Sequence, residues 1–299
     1  MLQLTGIMPP LATPFDGAGN LDLASLAKNV SRYNETGLAG YLALGSNGEA
    51  VHLSSKERRE VIATVKRAAT AHHTILAGIN EFSTRAALEA IHAAQDAGAD
   101  AALVVTPYFY KGAMTQPVLA NFFTSVADAS PLPVLIYNVP QNTGVVIEAK
   151  TIASLTAHQN IIGLKDSSGN MMAMIETLRL VPDDFAVFVG NGSILYPALA
   201  MGAKGAVLAV ANIAPQACVD LFLAVEAGNH ERARELQKRL APVSQIVTAG
   251  LGVAGLKTAL QILGYHGGLP CAPLLAVSET ESHKLKSILR ESGLFPGLE

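Results

Sequence analysis

The chain has 299 residues, 50% hydrophobic and 15% charged, with 21 basic against 24 acidic residues and a formal net charge of −3. At this size roughly 75% of the unfolded chain's surface can be buried, so a large core is expected. The charge balance predicts neither nucleic acid nor anionic membrane as a partner, because both need concentrated positive charge, and no uncharged apolar run reaches the ~18 residues of a transmembrane helix. The start, Met1-Leu2-Gln3-Leu4, lacks the basic stretch of a secretory signal. The two cysteines, Cys218 and Cys271, cannot form a disulfide framework and are expected as small buried groups in a reducing, cytoplasmic setting.

Short apolar runs alternate with longer stretches of helical periodicity. A first strand is predicted at Gly6-Ile7-Met8, before a double proline. The next runs are Gly40-Tyr41-Leu42-Ala43-Leu44, Thr74-Ile75-Leu76-Ala77, Ala101-Ala102-Leu103-Val104-Val105 and Pro133-Val134-Leu135-Ile136-Tyr137. Three more follow: Ile161-Ile162-Gly163-Leu164, Phe185-Ala186-Val187-Phe188-Val189 and Gly205-Ala206-Val207-Leu208-Ala209-Val210. Their two-sided apolarity suits parallel strands covered on both faces. Between them, helices are predicted over Asp22–Gly37, from Ser54 with Glu57 as a capping box, and from Ser83 to about Gly98. Others are expected at Gln116–Ala129, Glu148–His158, Asn170–Leu180, Ile194–Met201 and Pro215–Ala227. Strand starts recur roughly every 20 to 34 residues, the length of a βα unit.

Eight such units count out an α/β fold of the (β/α)8 TIM-barrel kind over residues 1–230. Residues 231–299 show no comparable strand run and read as added C-terminal helices: Glu231–Val247, Gly255–Leu263 and Glu279–Arg290. A doubly wound open sheet is the rival. The chain's Gly250-Leu251-Gly252-Val253-Ala254-Gly255 lies far from any first strand, however, and reads as a flexible turn between helices.

In a TIM barrel, polar residues at the C-terminal ends of strands are the catalytic candidates. After the second run comes Gly45-Ser46-Asn47-Gly48-Glu49, whose glycines permit a tight turn and whose N–H groups, with Ser46 and Asn47, suit a carboxylate. An ordinary turn is the plainer reading. Tyr137 ends the fifth run, where packing with a satisfied hydroxyl is the common outcome. Lys165 ends the sixth and shares a face with Gly163, which is expected to leave room beside its stem. A lysine buried there has its pKa depressed by desolvation and can form a Schiff base with a carbonyl. Alternatively it points outward or pairs with Asp166. Parallel strands bring Ser46, Tyr137 and Lys165 to one mouth, a coherent site for a 2-oxo acid with no metal or other cofactor. The eight histidines include His72-His73, expected at a helix end, and show no zinc spacing.

Gly45-Ser46-Asn47-Gly48-Glu49, Thr106-Pro107-Tyr108, Tyr137-Asn138-Val139-Pro140 and Gly163-Leu164-Lys165-Asp166-Ser167 together resemble the class I pyruvate-dependent aldolase family. This is the group of dihydrodipicolinate synthase and N-acetylneuraminate lyase. Within it the chain is most similar to the 4-hydroxy-2-oxoglutarate aldolase type, which shares the Gly-Ser-Asn-Gly-Glu turn, Asn142-Thr143-Gly144 and Gly255-Leu256-Lys257. The resemblance implies a homotetramer built as a dimer of dimers. It implies Lys165 as the Schiff-base lysine, Tyr137 as proton donor and acceptor, and Ser46 as the relay. It also implies Asn47 in a carboxylate clamp, Leu208 as a backbone contact to pyruvate and Ser167 as a site serine.

Two positions depart from the family pattern. Asn142 stands where dihydrodipicolinate synthases have an arginine for the aspartate semialdehyde carboxylate, and Phe109 stands where a relay tyrosine is usual. The expected activity is therefore cleavage of a 4-hydroxy-2-oxo acid to pyruvate and an aldehyde such as glyoxylate, with Asn142 among the substrate-binding residues. The alternatives are 4-hydroxy-tetrahydrodipicolinate synthesis and a non-catalytic pyruvate binder.

Overall fold

The computed structural model describes Leu2 and residues 4–298. Eight strands form one parallel sheet: β1 (Gly6–Met8), β2 (Gly40–Ala43), β3 (Thr74–Ile79), β4 (Ala101–Val105), β5 (Val134–Asn138), β6 (Ile161–Asp166), β7 (Ala186–Val189) and β8 (Gly205–Val207). The helices in chain order are α1 (Leu23–Tyr33), α2 (Ser55–Ala68), α3 (Thr84–Asp96), α4 (Gln116–Ala129), α5 (Pro140–Thr143), α6 (Ala149–Leu155), α7 (Met171–Leu180), α8 (Leu195–Ala200) and α9 (Pro215–Glu226). They are followed by α10 (His230–Gln245), α11 (Gly252–Ile262) and α12 (Glu279–Glu291). Consecutive strands pair from β2 to β8, and β1 pairs with β8. The seam between β1 and β2 carries Ala39 N–H to Ile7 O at 2.9 Å, Leu42 N–H to Pro9 O at 3.0 Å and Leu11 N–H to Leu42 O at 2.9 Å. The result is the expected TIM barrel with C-terminal helices.

Alternation sorts the strand residues into two layers. Leu42, Leu76, Leu103, Val105, Leu135, Tyr137, Phe188 and Val207 fill the barrel interior. Tyr41, Ile75, Ala102, Val104, Val134, Ile136, Leu164 and Val187 face the helices. Leu236, Leu240 and Val243 of α10, Leu256 of α11 and Leu285 of α12 join that same outer core. Helix starts follow local chemistry: Asp22, Ser83 and Asn170 cap α1, α3 and α7, and Ser54 with Glu57 forms the expected capping box of α2.

Register decides what β6 presents. Val134 pairs with Ile161, but Leu135 pairs with Gly163, so Ile162 is an extra residue in the ladder. This bulge sets Lys165 opposite Tyr137, with Phe188 on its other side. Unbulged pairing would have set Leu164 there.

Several expectations need correction. Gly250–Gly255 is no flexible turn, because residues 246–250 form a π-helix and α11 begins at Gly252. The eighth strand ends at Val207, and Ala209–Asn212 is a 3-10 turn that the Asn212 side chain ties to Pro10 O at 3.0 Å. His72 and His73 lie beyond the end of α2, in the turn before β3, so no helix dipole holds them. Burial, then the neighbouring His72, hold His73 below the usual imidazole range. Cys218 is buried, but Cys271 is partly exposed. At Gly163 the nearest neighbours of a side chain would belong to Ala186, not to the Lys165 stem.

That close approach makes a test. A Cβ at Gly163 would sit 2.5 Å from Ala186 O, so Gly163→Ala should push β6 from β7 and cost ~1–3 kcal/mol. Urea unfolding reads this as a lower midpoint, and an unchanged midpoint contradicts the packing described.

Candidate active site

The C-terminal ends of the strands open into a cavity of about 430 Å³. Ser46, Asn47, Tyr137, Asn142, Lys165 and Ser167 all line it, so six of the seven expected site residues come together. Lys165 is 3% exposed and its Nζ lies 4.3 Å from the centre of the Tyr137 ring. It neither points outward nor pairs with Asp166. The Asp166 carboxylate instead accepts from Asn138 Nδ2 at 2.8 Å and from Ser168 N–H at 2.7 Å. Those bonds keep Asp166 occupied and leave the lysine facing the cavity.

Tyr137 is 5% exposed, and its hydroxyl lies 3.4 Å from Ser46 Oγ, at the loose end of hydrogen bonding. Burial pushes the phenol's pKa up. The Lys165 charge, with hydrogen bonds from Ser46, Ser167 and Lys165, more than offsets this and holds it below the usual phenol value. A phenol so placed gives up a proton more readily than one in water and can act as a general acid or base. Ser167 fits beside it because Gly190 lacks a side chain there, as any Cβ would overlap Ser167 Oγ.

The turn that presents Ser46 is a short 3-10 helix over Ser46–Gly48. The tight turn expected there is present, and its left-handed residues are not glycines but Leu44 and Glu49, with φ of 61° and 55°. Gly48 serves close approach instead, since a Cβ there would lie 3.0 Å from Leu11 O. Asn47 Nδ2 is buried without a hydrogen-bond partner, a free donor at the cavity wall.

Leu208 is placed differently. Its side chain is fully buried in the outer core and its carbonyl accepts from Ala211 N–H at 3.1 Å, while Val207 and Ala209 on either side line the cavity. Phe109 is 70% exposed and stacks edge-on against Phe82 and Tyr110, away from the Lys165 cavity lining.

Sequence reasoning missed Gln141, Asn191, Thr248, Gly252 and Val253, which also line the cavity. Gln141 follows the Tyr137 strand, and its Nε2 donates to Ser167 O at 2.8 Å. Its place beside Asn142 was the available signal. Nothing in a strand pattern marks Thr248, which reaches the mouth from the π-helix.

The match to the model of the Dihydrodipicolinate synthetase family spans residues 3–292. This chain belongs to that family. It is an enzyme of the class I type, whose members form Schiff bases with pyruvate. The 4-hydroxy-tetrahydrodipicolinate synthase of an Exiguobacterium species is 35% identical over 289 residues, covering 97% of this chain and 98% of that protein. That of Methanothrix thermoacetophila is 36% identical over 285 residues, covering 95% of each. The Thermotoga maritima dihydrodipicolinate synthase structure superposes with a TM-score of 0.93 at 30% identity, covering 98% of this chain and all of that one. A prophage protein of E. coli K12 from the same family, solved in complex with pyruvate, gives 0.91 at 29%, covering 97% and 99%. None of these relatives bears the name 4-hydroxy-2-oxoglutarate aldolase. Among the described residues no helix is long and apolar enough to cross a membrane.

The Tyr137 environment generates a pH prediction. A nearby cation stabilises the phenolate, so Lys165→Ala should move the Tyr137 ionisation to higher pH. Titration of ring-13C tyrosine by NMR in both proteins reads the shift, and an unmoved or lowered value contradicts the electrostatics described.

Proposed function

We propose that this chain makes and breaks a carbon–carbon bond at C3 of pyruvate through an imine on Lys165. The observation that carries the reading is the register of β5 and β6, which sets a buried amine beside a phenol with lowered pKa and puts Ser46 Oγ 3.4 Å from that phenol. Lys165 Nζ adds to the C2 carbonyl and water leaves, giving an iminium. The Tyr137 phenolate takes a C3 proton, which gives the enamine and leaves the phenol protonated. The enamine carbon attacks an aldehyde, whose oxygen takes a proton from Tyr137, with Ser46 relaying protons to the phenol. Cleavage runs the same steps backward, with the iminium accepting the electron pair. No separate cofactor or metal enters the scheme. Asn47 Nδ2 and the turn's N–H groups hold the pyruvate carboxylate, with Ser167 and the backbone at Leu208 against the rest of the keto acid.

The names of the relatives support aspartate semialdehyde as the aldehyde, and hence 4-hydroxy-tetrahydrodipicolinate synthesis. One observation favours the second reading, cleavage of 4-hydroxy-2-oxoglutarate or a similar acid. Asn142 lines the cavity with a neutral amide where a synthase would offer a guanidinium, and an amide cannot form the charged bidentate pair a carboxylate favours. The relatives' family further supports a homotetramer in the cytoplasm, although one solved relative is described as a monomeric variant.

Borohydride reduction in the presence of pyruvate, followed by peptide mass spectrometry, should place a reduced adduct on Lys165, and Lys165→Ala should abolish it. An adduct that survives the substitution overturns the assignment. Turnover of pyruvate with aspartate semialdehyde, set against pyruvate release from 4-hydroxy-2-oxoglutarate, separates the two readings. An adduct with neither turnover identifies a binder.

A further inference from the structure

The mechanism above leaves one buried charged pair unused. Lys257 of α11 is 1% exposed, and its ammonium meets the carboxylate of Glu49, itself 2% exposed. The ammonium also donates to Leu269 O at 2.7 Å and lies 4.3 Å from the centre of the Phe15 ring. The second Glu49 oxygen accepts from Cys271 N–H at 2.6 Å, with His52 Nδ1 at 3.8 Å. Burial pulls the Lys257 pKa down, while the bond and charge of Glu49 push it up, and the balance falls below the usual lysine value.

Burying two charges is costly unless they are well paired, and replacing such a pair by neutral groups is often tolerated for stability. A function therefore has to be sought in what the pair joins. Glu49 ends the turn that carries Ser46, and its N–H bonds back to Ser46 O at 3.2 Å. It also takes the left-handed conformation, with φ of 55° and ψ of 32°. A residue other than glycine persists there only when its surroundings over-determine it. Lys257 lies one turn of α11 beyond Val253, which lines the cavity with Gly252. The pair thus bolts the turn holding the proton relay to a helix that also lines the cavity. Gly267 lacks a side chain at the same joint, where a Cβ would overlap Lys257 O.

We infer that Glu49 and Lys257 are positioning residues for proton transfer: their pair holds Ser46 in register with Tyr137, and does not act on imine formation. The inference rests on the Lys165 imine reading above. Ser46 and Tyr137 are already at the loose end of bonding, so a small shift of the turn breaks the relay, and a misplacement of ~1 Å can cost ~100-fold in rate.

The test uses the full chain and pyruvate alone, in deuterated buffer. Two readouts are taken on each protein: the borohydride-trapped adduct at saturating pyruvate, and the rate of methyl proton exchange by NMR. Lys257→Met should trap as much adduct as the unsubstituted protein, yet exchange protons ~100-fold more slowly. If that variant does not fold, the Glu49→Gln/Lys257→Met double variant leaves no unpaired buried charge and carries the same expectation. Exchange at the full rate per trapped site overturns the inference. So does a fall of both readouts in proportion, which marks a merely structural pair. Failure of the unsubstituted protein to trap pyruvate on Lys165 instead overturns the imine reading.

Discussion

The pairing of β5 with β6 is the constraint on which this site depends. Interior and exterior alternate along every strand, so a one-residue slip exchanges the two faces. The extra residue at Ile162 sets Lys165, rather than Leu164, beside Tyr137. Everything chemical follows from that neighbour relation. The ammonium stabilises the phenolate, the phenol reaches toward Ser46, and Asp166 is kept away from the lysine by Asn138 and Ser168.

The C-terminal helices are part of this construction. Their apolar residues join the outer core of the barrel, and the π-helix at residues 246–250 brings Val247, Thr248 and Ala249 over the mouth. π-Helical turns are costly and concentrate at functional sites. The Glu49–Lys257 pair ties α11, whose Gly252 and Val253 line the cavity, to the turn that carries Ser46.

Much of this was legible in the residues. The two-sided apolar runs and their spacing announced a parallel barrel, because burial on both faces leaves a simple pattern. Lys165 stood out because a lysine that closes an apolar strand is unusual, and Ser46 and Tyr137 because parallel strands bring their C-terminal ends to one mouth. The glycines of the Gly45–Glu49 stretch marked a tight turn, but not what each of them does there. Glycine can signal a positive φ or a close contact, and only the packing against Leu11 tells which. Gly250–Gly255 was misread for a related reason, since its glycines suggest a turn while the π-helix that precedes α11 depends on the surface it packs against.

The sequence by itself determined the fold class, the order of the strands and the residue types available at their ends, since these follow from local periodicity and chain connectivity. Only the tertiary structure decided that Lys165 lies against Tyr137, that Asn142 and Thr248 share one cavity, and that Lys257 reaches Glu49 across 208 residues of chain. Bulges, ring closure and buried pairs between distant segments are properties of packing. No local pattern of side chains encodes them.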